Sequence, residues 1–151
     1  METAFEIRKT AFLGDYLPRK RAIATFTSDL LTAVTSEDAQ SQCVAVPVNA
    51  TKGGYEYPDV VRFELEEQDQ SSCKRAADYL NLGKVDIVCP QNKFGIFRGP
   101  TGSHLVTLLS DLKIPVITML HTVLCEPNAD SRRVRQGFLR SKTLPLTRWE
   151  C

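Results

Sequence analysis

The residues whose types and spacing best suit binding or proton chemistry gather in one stretch of this sequence. Residues 85–127 run as a strand-like VDIVCP, a glycine-rich QNKFGIFRGPTGSH, a helix-like run and a strand-like IPVITMLHT. That order makes one β-α-β unit with a Gly-rich loop at the carboxyl end of a strand, where open α/β sheets place ligands. In the loop, Gly95, Gly99 and Gly102 either let backbone approach a ligand or close a tight crossover. Phe94, Ile96 and Phe97 either line a groove or pack beneath the loop, and Asn92 offers a polar side chain. His121 directly follows the next strand, and its neutral imidazole can donate one hydrogen bond and accept another. A lone histidine is otherwise most often a satisfied core residue, the role expected of His104 one turn into the intervening helix.

Two further candidates lie near the start of the chain. Gly14 closes the first strand and serves either as a structural turn or as a ligand loop, with backbone N–H groups at the following helix start near residues 21–24. Its surroundings are not G-x-G-x-x-G, so the motif is weak. Arg19, Lys20 and Arg21 form a basic turn, expected to be solvated, from which Arg19 is the candidate for substrate contact.

Composition removes several function classes. Nineteen basic and eighteen acidic side chains leave a net charge of +1, no global field for nucleic acid or an anionic membrane. Five widely spaced cysteines show no C-x-x-C pair and only two histidines accompany them, so neither a metal centre nor a disulfide framework is expected. No apolar run approaches the ~20 residues of a membrane helix, and the amino terminus lacks a signal-peptide pattern. The expectation is a soluble cytoplasmic protein with no cofactor. With 151 residues, one compact domain is the default.

The elements that must position these residues alternate. A strand over Thr10–Leu13 ends at Gly14, and a helix follows with Ile23, Phe26, Leu30 and Val34 on one face. Two short strands come next, over residues 43–48 and 60–65, separated by turn residues. A helix over about residues 69–82 carries Cys73, Ala76, Ala77 and Leu80 on one stripe, with Gly83 as a left-handed terminus. The helix after the Gly-rich loop carries Leu105, Leu108, Leu109 and Leu112, with Thr101 or Ser103 to cap it, and leads to a strand over residues 115–120. Nearly all-apolar later strands indicate a sheet covered on both faces. The fold class expected is α/β, a doubly wound, mostly parallel Rossmann-like sheet.

Four segments at natural spacing carry a resemblance: PRKRAIATFTSDLL at 18–31, GGYEYPDVVRFEL at 53–65, QNKFGIFRGPTGSHL at 91–105 and PVITMLHTVLCEP at 115–127. Over roughly residues 9–135 the chain resembles the amino-terminal, acceptor-side domain of bacterial family 4 ("group 1") glycosyltransferases, one half of a GT-B fold. The resemblance implies retaining transfer of a sugar from a nucleotide-sugar donor to a sugar or lipid-linked acceptor, in a cleft between two Rossmann-like domains. His121 matches the histidine that reaches the donor sugar or its reaction centre in such enzymes, the role expected to be catalytic. Gly14, Arg19, Asn92, Phe94, Gly95, Gly99 and Gly102 are expected on the substrate side.

The motifs also depart from the family pattern. Arg21-Ala22 stands where Cys-Gly is usual, Asn92-Lys93 where His-Glu is usual, and Arg98 where a glycine is usual. Losing an imidazole and a carboxylate removes two groups able to exchange protons. The resemblance fades near Arg135, giving a domain over residues 1–140 and a divergent tail over 141–151. The expectation is therefore a truncated enzyme half, inactive alone, or alternatively a non-catalytic binding module on the same scaffold. An uncovered domain face suggests a homodimer or a separate donor-domain partner. The tail basic residues Arg132, Arg133, Arg135, Arg140, Lys142 and Arg148 form either a solvated face or a peripheral membrane contact.

Overall fold

Period-two alternation along the strands decides the layering. In the computed structural model, which describes residues 6–93 and 103–121, β1 spans Lys9–Gly14, β2 Gln42–Asn49, β3 Leu65–Glu66, β4 Ile87–Asn92 and β5 Met119–Leu120. Ala11, Leu13, Val46, Val48 and Val88 point to one side, and Phe12, Ala45 and Cys89 to the other. Both faces are apolar, so each must be covered. α1 (Ala22–Glu37) covers the Phe12 side through Leu31, with Leu30 and Val34 half-buried beside it. α2 (Gln70–Leu82) and α3 (Ser103–Asp111) cover the other through Cys73, Ala76, Leu80, Leu105, Leu108 and Leu109.

All five strands are parallel, in the order β3-β2-β1-β4-β5. The chain winds outward from β1 to β3, returns to β4 on the other side of β1 and continues to β5. Right-handed crossovers in opposite directions put α1 on one face and α2 with α3 on the other. This is the doubly wound, Rossmann-like arrangement expected from the sequence. Register is fixed at both ends of the central pair. Asp86 accepts the backbone N–H of Arg8 and Lys9 at 2.9 and 2.8 Å and donates its own N–H to Lys9 at 2.9 Å. Leu13 pairs with Pro90 at the far end.

Several elements differ from expectation. The α1 stripe is Ile23, Ala24, Thr27 and Leu31, while Phe26 is 42% exposed. The small Ala24 and Thr27, whose hydroxyl donates to the Ile23 carbonyl at 2.7 Å, let the helix lie close to the sheet, and this turns Phe26 outward. β2 is not short but eight residues long, because strands flank it on both sides. The third strand shrinks to Leu65–Glu66, with Val61 making only an isolated bridge to Ala45. An edge position has one partner, and Val60 and Val61 instead pack into the α1-side core. β5 likewise narrows to two residues plus a bridge from Val116 to Val88, leaving Ile117 and Leu120 exposed.

α2 begins at Asp69, whose carboxylate accepts the Ser71 N–H at 2.9 Å. The Ser71 hydroxyl, which also donates to this carboxylate, does most to hold Asp69 at about 2, below the usual carboxylate range, with Arg75 and the Ser71 N–H adding to it. Gly83 ends α2 but is not left-handed (φ −74°); Lys84 takes the positive φ of 51°. Gly83 is needed for space, since a Cβ there would lie 2.8 Å from the Tyr79 carbonyl that its own N–H bonds. Among the described residues no helix is long and apolar enough to cross a membrane. Cys43, Cys73 and Cys89 are free thiols.

Leu108, fully buried between α2 and the sheet, and Leu82, 82% exposed, make a matched pair. Leu108→Ala should cost about 2–5 kcal/mol in urea unfolding, and Leu82→Ala no more than about 0.5 kcal/mol.

Candidate functional site

The strand order reverses between β1 and β4, and the crevice outside their carboxyl ends is where this architecture takes ligands. Gly14 and Asp15 lie at the end of β1, Asn49 at the end of β2, Glu67 just past β3, Gln91 and Asn92 at the end of β4, and His121 just past β5. One rim thus collects residues spread over more than a hundred positions.

The loop from β1 to α1 is held by buried charge. Arg19 Nη1 donates to Asp15 Oδ1 at 2.6 Å and to the Val48 carbonyl at 2.8 Å, while Nη2 lies 3.8 Å from Glu67 Oε2. Asp15, Arg19 and Glu67 are 1%, 6% and 3% exposed. The expectation of a solvated turn therefore fails for Arg19, while Lys20 and Arg21 are exposed as expected. Asp15 and Glu67 are the reason: a carboxylate four residues before Arg19 and another from β3 draw the guanidinium inward. Burial pushes the Asp15 carboxyl above the usual range, against the pull of Arg19 and Arg21, with Glu67 adding to the rise. Arg21 reaches Asp15 Oδ2 from outside at 3.6 Å. Arg19 thus ties three strand ends together beneath the rim.

A second tie fixes the loop between β2 and β3. The Tyr57 hydroxyl donates to Asn49 Oδ1 at 2.6 Å, and Asn49 Nδ2 donates to Glu64 Oε2 at 2.6 Å. Gly54, at φ +61°, presses against the Glu64 carboxylate where no Cβ would fit. Burial and the Glu64 charge push the Tyr57 phenol far up, so it remains a donor.

On the β4–β5 side, His121 Nε2 lies 2.8 Å from Gln91 Oε1, and the His121 backbone N–H donates to the Asn92 carbonyl at 3.0 Å. Phe26 meets the imidazole edge-on at a centroid distance of 5.0 Å. Desolvation, then the Lys93 charge, lowers the His121 pKa below 6.5, so the ring is neutral at pH 7. Gln91 is fully buried, and a Cβ on Gly14 would lie 2.8 Å from the Gln91 Cβ. Gly14 is therefore required by close approach across the β1–β4 pair.

Gly14, Asn92 and His121 come together around Gln91, whereas Arg19 sits in the neighbouring charge cluster. Phe94, Gly95, Gly99 and Gly102 lie outside the described residues, as do the basic tail and the domain boundary at 140. His104 has the structural role expected of it, its Nδ1 lying 3.0 Å from the Glu67 carbonyl. Sequence reasoning missed Asp15, Asn49, Glu67 and Gln91. An acid directly after a strand and four residues before an arginine was the one available signal; Glu67 and Gln91 become meaningful only once strands are ordered. Among the described residues no cluster of three His, Cys, Asp or Glu side chains could hold a metal ion.

No family model matches this chain, and no curated protein matches it. Among solved structures it is similar to a homoserine dehydrogenase from S. aureus, at 14% identity and a TM-score of 0.42, over 90% of this chain and 31% of that one. The chain thus spans less than a third of that enzyme, and a likeness so loose bears on neither fold nor activity.

Arg19→Met should destabilise the protein by about 3–5 kcal/mol in urea unfolding, because it leaves two carboxylates buried beside an apolar chain. NMR titration should place His121 below 6.5, with Lys93→Gln raising it only part of the way back, since desolvation is the larger cause. The depressed folded pKa means the unfolded chain binds the proton more tightly. Stability from this group is therefore present above pH 6.5 and lost as pH falls through the folded pKa.

Proposed function

We propose that this chain is the acceptor-side domain of a retaining, GT-B type glycosyltransferase, working in the cytoplasm on a nucleotide-sugar donor and a sugar or lipid-linked acceptor. Four ordered sequence segments support the reading. The observation that carries it is His121, held at the rim by Gln91 and Asn92 next to the point where the strand order reverses. A neutral imidazole in that place can orient a sugar hydroxyl. The residues of this chain would bind and orient the acceptor, and Phe26 would shield one side of the imidazole from water. The nucleotide pocket and its carboxylates would come from a second Rossmann-like domain, in the same or another polypeptide.

One observation favours a second reading, a binding module without chemistry. Lys93 stands where the family pattern has a carboxylate, and its charge acts against protonation of His121. A rim so altered can still hold a polyol while exchanging protons poorly.

The test joins this chain to the donor domain of a family 4 enzyme. Sugar transfer should appear, and His121→Ala should lower it ~10²-fold, the scale of one positioned acid–base group. Asn92→His with Lys93→Glu should raise transfer by a similar ~10²-fold. Transfer indifferent to His121, or none in a chimera that still binds the donor, refutes the enzyme reading. Acceptor binding without transfer would favour the binding module. The 151-residue chain by itself should turn over no nucleotide-sugar.

A further inference from the structure

The two histidines of this sequence each face an acceptor, but through different ring nitrogens. His104 Nδ1 lies 3.0 Å from the backbone carbonyl of Glu67, an acceptor only, so that nitrogen carries the hydrogen. His121 Nε2 lies 2.8 Å from Gln91 Oε1, also an acceptor, so there Nε2 carries it. We infer that Gln91 is a positioning residue for His121: it fixes the ring in the Nε2–H form and leaves Nδ1 as an unprotonated hydrogen-bond acceptor at the rim.

Three observations make this a built arrangement. Gln91 is fully buried, so no water competes for its amide. The amide is oriented from its far side, where Nε2 donates to Cys89 Sγ at 3.3 Å. The backbone beneath is pinned as well, by the His121 N–H to the Asn92 carbonyl and by Gly14, whose missing side chain makes room for Gln91. Nδ1 of His121 has no hydrogen-bond partner among the described residues, and the ring is only half-buried. A group meeting Nδ1 must therefore donate a hydrogen, as a hydroxyl or an ammonium does and a fully ionised phosphate does not. On the proposed function, that group is a sugar hydroxyl. The ring form itself does not depend on that reading.

The experiment is a long-range ¹H–¹⁵N correlation spectrum of the uniformly ¹⁵N-labelled 151-residue chain above about pH 8, where histidine is neutral, assigned with His121→Ala. Two opposite patterns are expected, Nδ1–H for His104 and Nε2–H for His121. A His121 pattern that is Nδ1–H or an even mixture overturns the inference. Gln91→Glu keeps the acceptor, removes the amide donor and should preserve the Nε2–H pattern. Gln91→Leu should release His121 into a mixture while His104 stays as it was. An unchanged His121 in Gln91→Leu, or a switch to Nδ1–H in Gln91→Glu, overturns the role of Gln91. If Gln91→Leu does not fold, the wild-type and Gln91→Glu spectra decide. None of these measurements needs sugar transfer, so the inference and the proposed function can fail separately.

Discussion

A single buried guanidinium holds the carboxyl-end rim of this sheet together. Arg19 bonds the carboxylate that follows β1, the last carbonyl but one of β2 and, at longer range, the acid that follows β3. Taking such charges out of water is expensive, and their pairing returns the cost only when geometry is good. Moving the β1–α1 loop away would leave these buried groups unpaired, so the cluster constrains where the loop lies. Everything built on that loop, including the start of α1 and the position of Phe26 against His121, inherits this placement.

How much could be seen in the sequence follows from which forces act locally. Apolar periodicity exposed β1, α2, α3 and β4, because their burial repeats at the period of the element itself. It failed for the face of α1, where Ala24 and Thr27 mattered more by being small than Phe26 did by being large. It overstated β3 and β5, since residues 60–65 and 115–120 look like full strands but lie at sheet edges. Arg19 shows the deepest limit. A basic turn looks solvated until Asp15 and Glu67, 52 positions apart in the chain, are brought together by strand order.

The β4–β5 side of the rim is organised by a neutral network rather than by charge. Gly14, Gln91, Asn92 and His121 are linked by close approach and hydrogen bonds, with Cys89 beneath. His121 and Gly14 were visible as candidates, yet the residue joining them was not, because a glutamine ending an apolar strand has no pattern of its own. Two exposed cations act differently on these two networks. Arg21 adds a second, outer cation to Asp15, whereas Lys93 bears directly on the His121 charge. The first adds to the buried charge cluster and the second disfavours protonation of the imidazole.

The Asp86 clamp at the opposite end of the sheet has its own consequence. It grips the backbone of Arg8 and Lys9 at the amino end of β1, while Gly14 and Gln91 interlock at the carboxyl end. A strand held at both ends and flanked by β2 and β4 cannot fray from a terminus; it opens only when the whole sheet does. The amide hydrogens of Ala11, Phe12 and Leu13 should then be among the slowest in the molecule to exchange with deuterated solvent, at a rate that reports global unfolding.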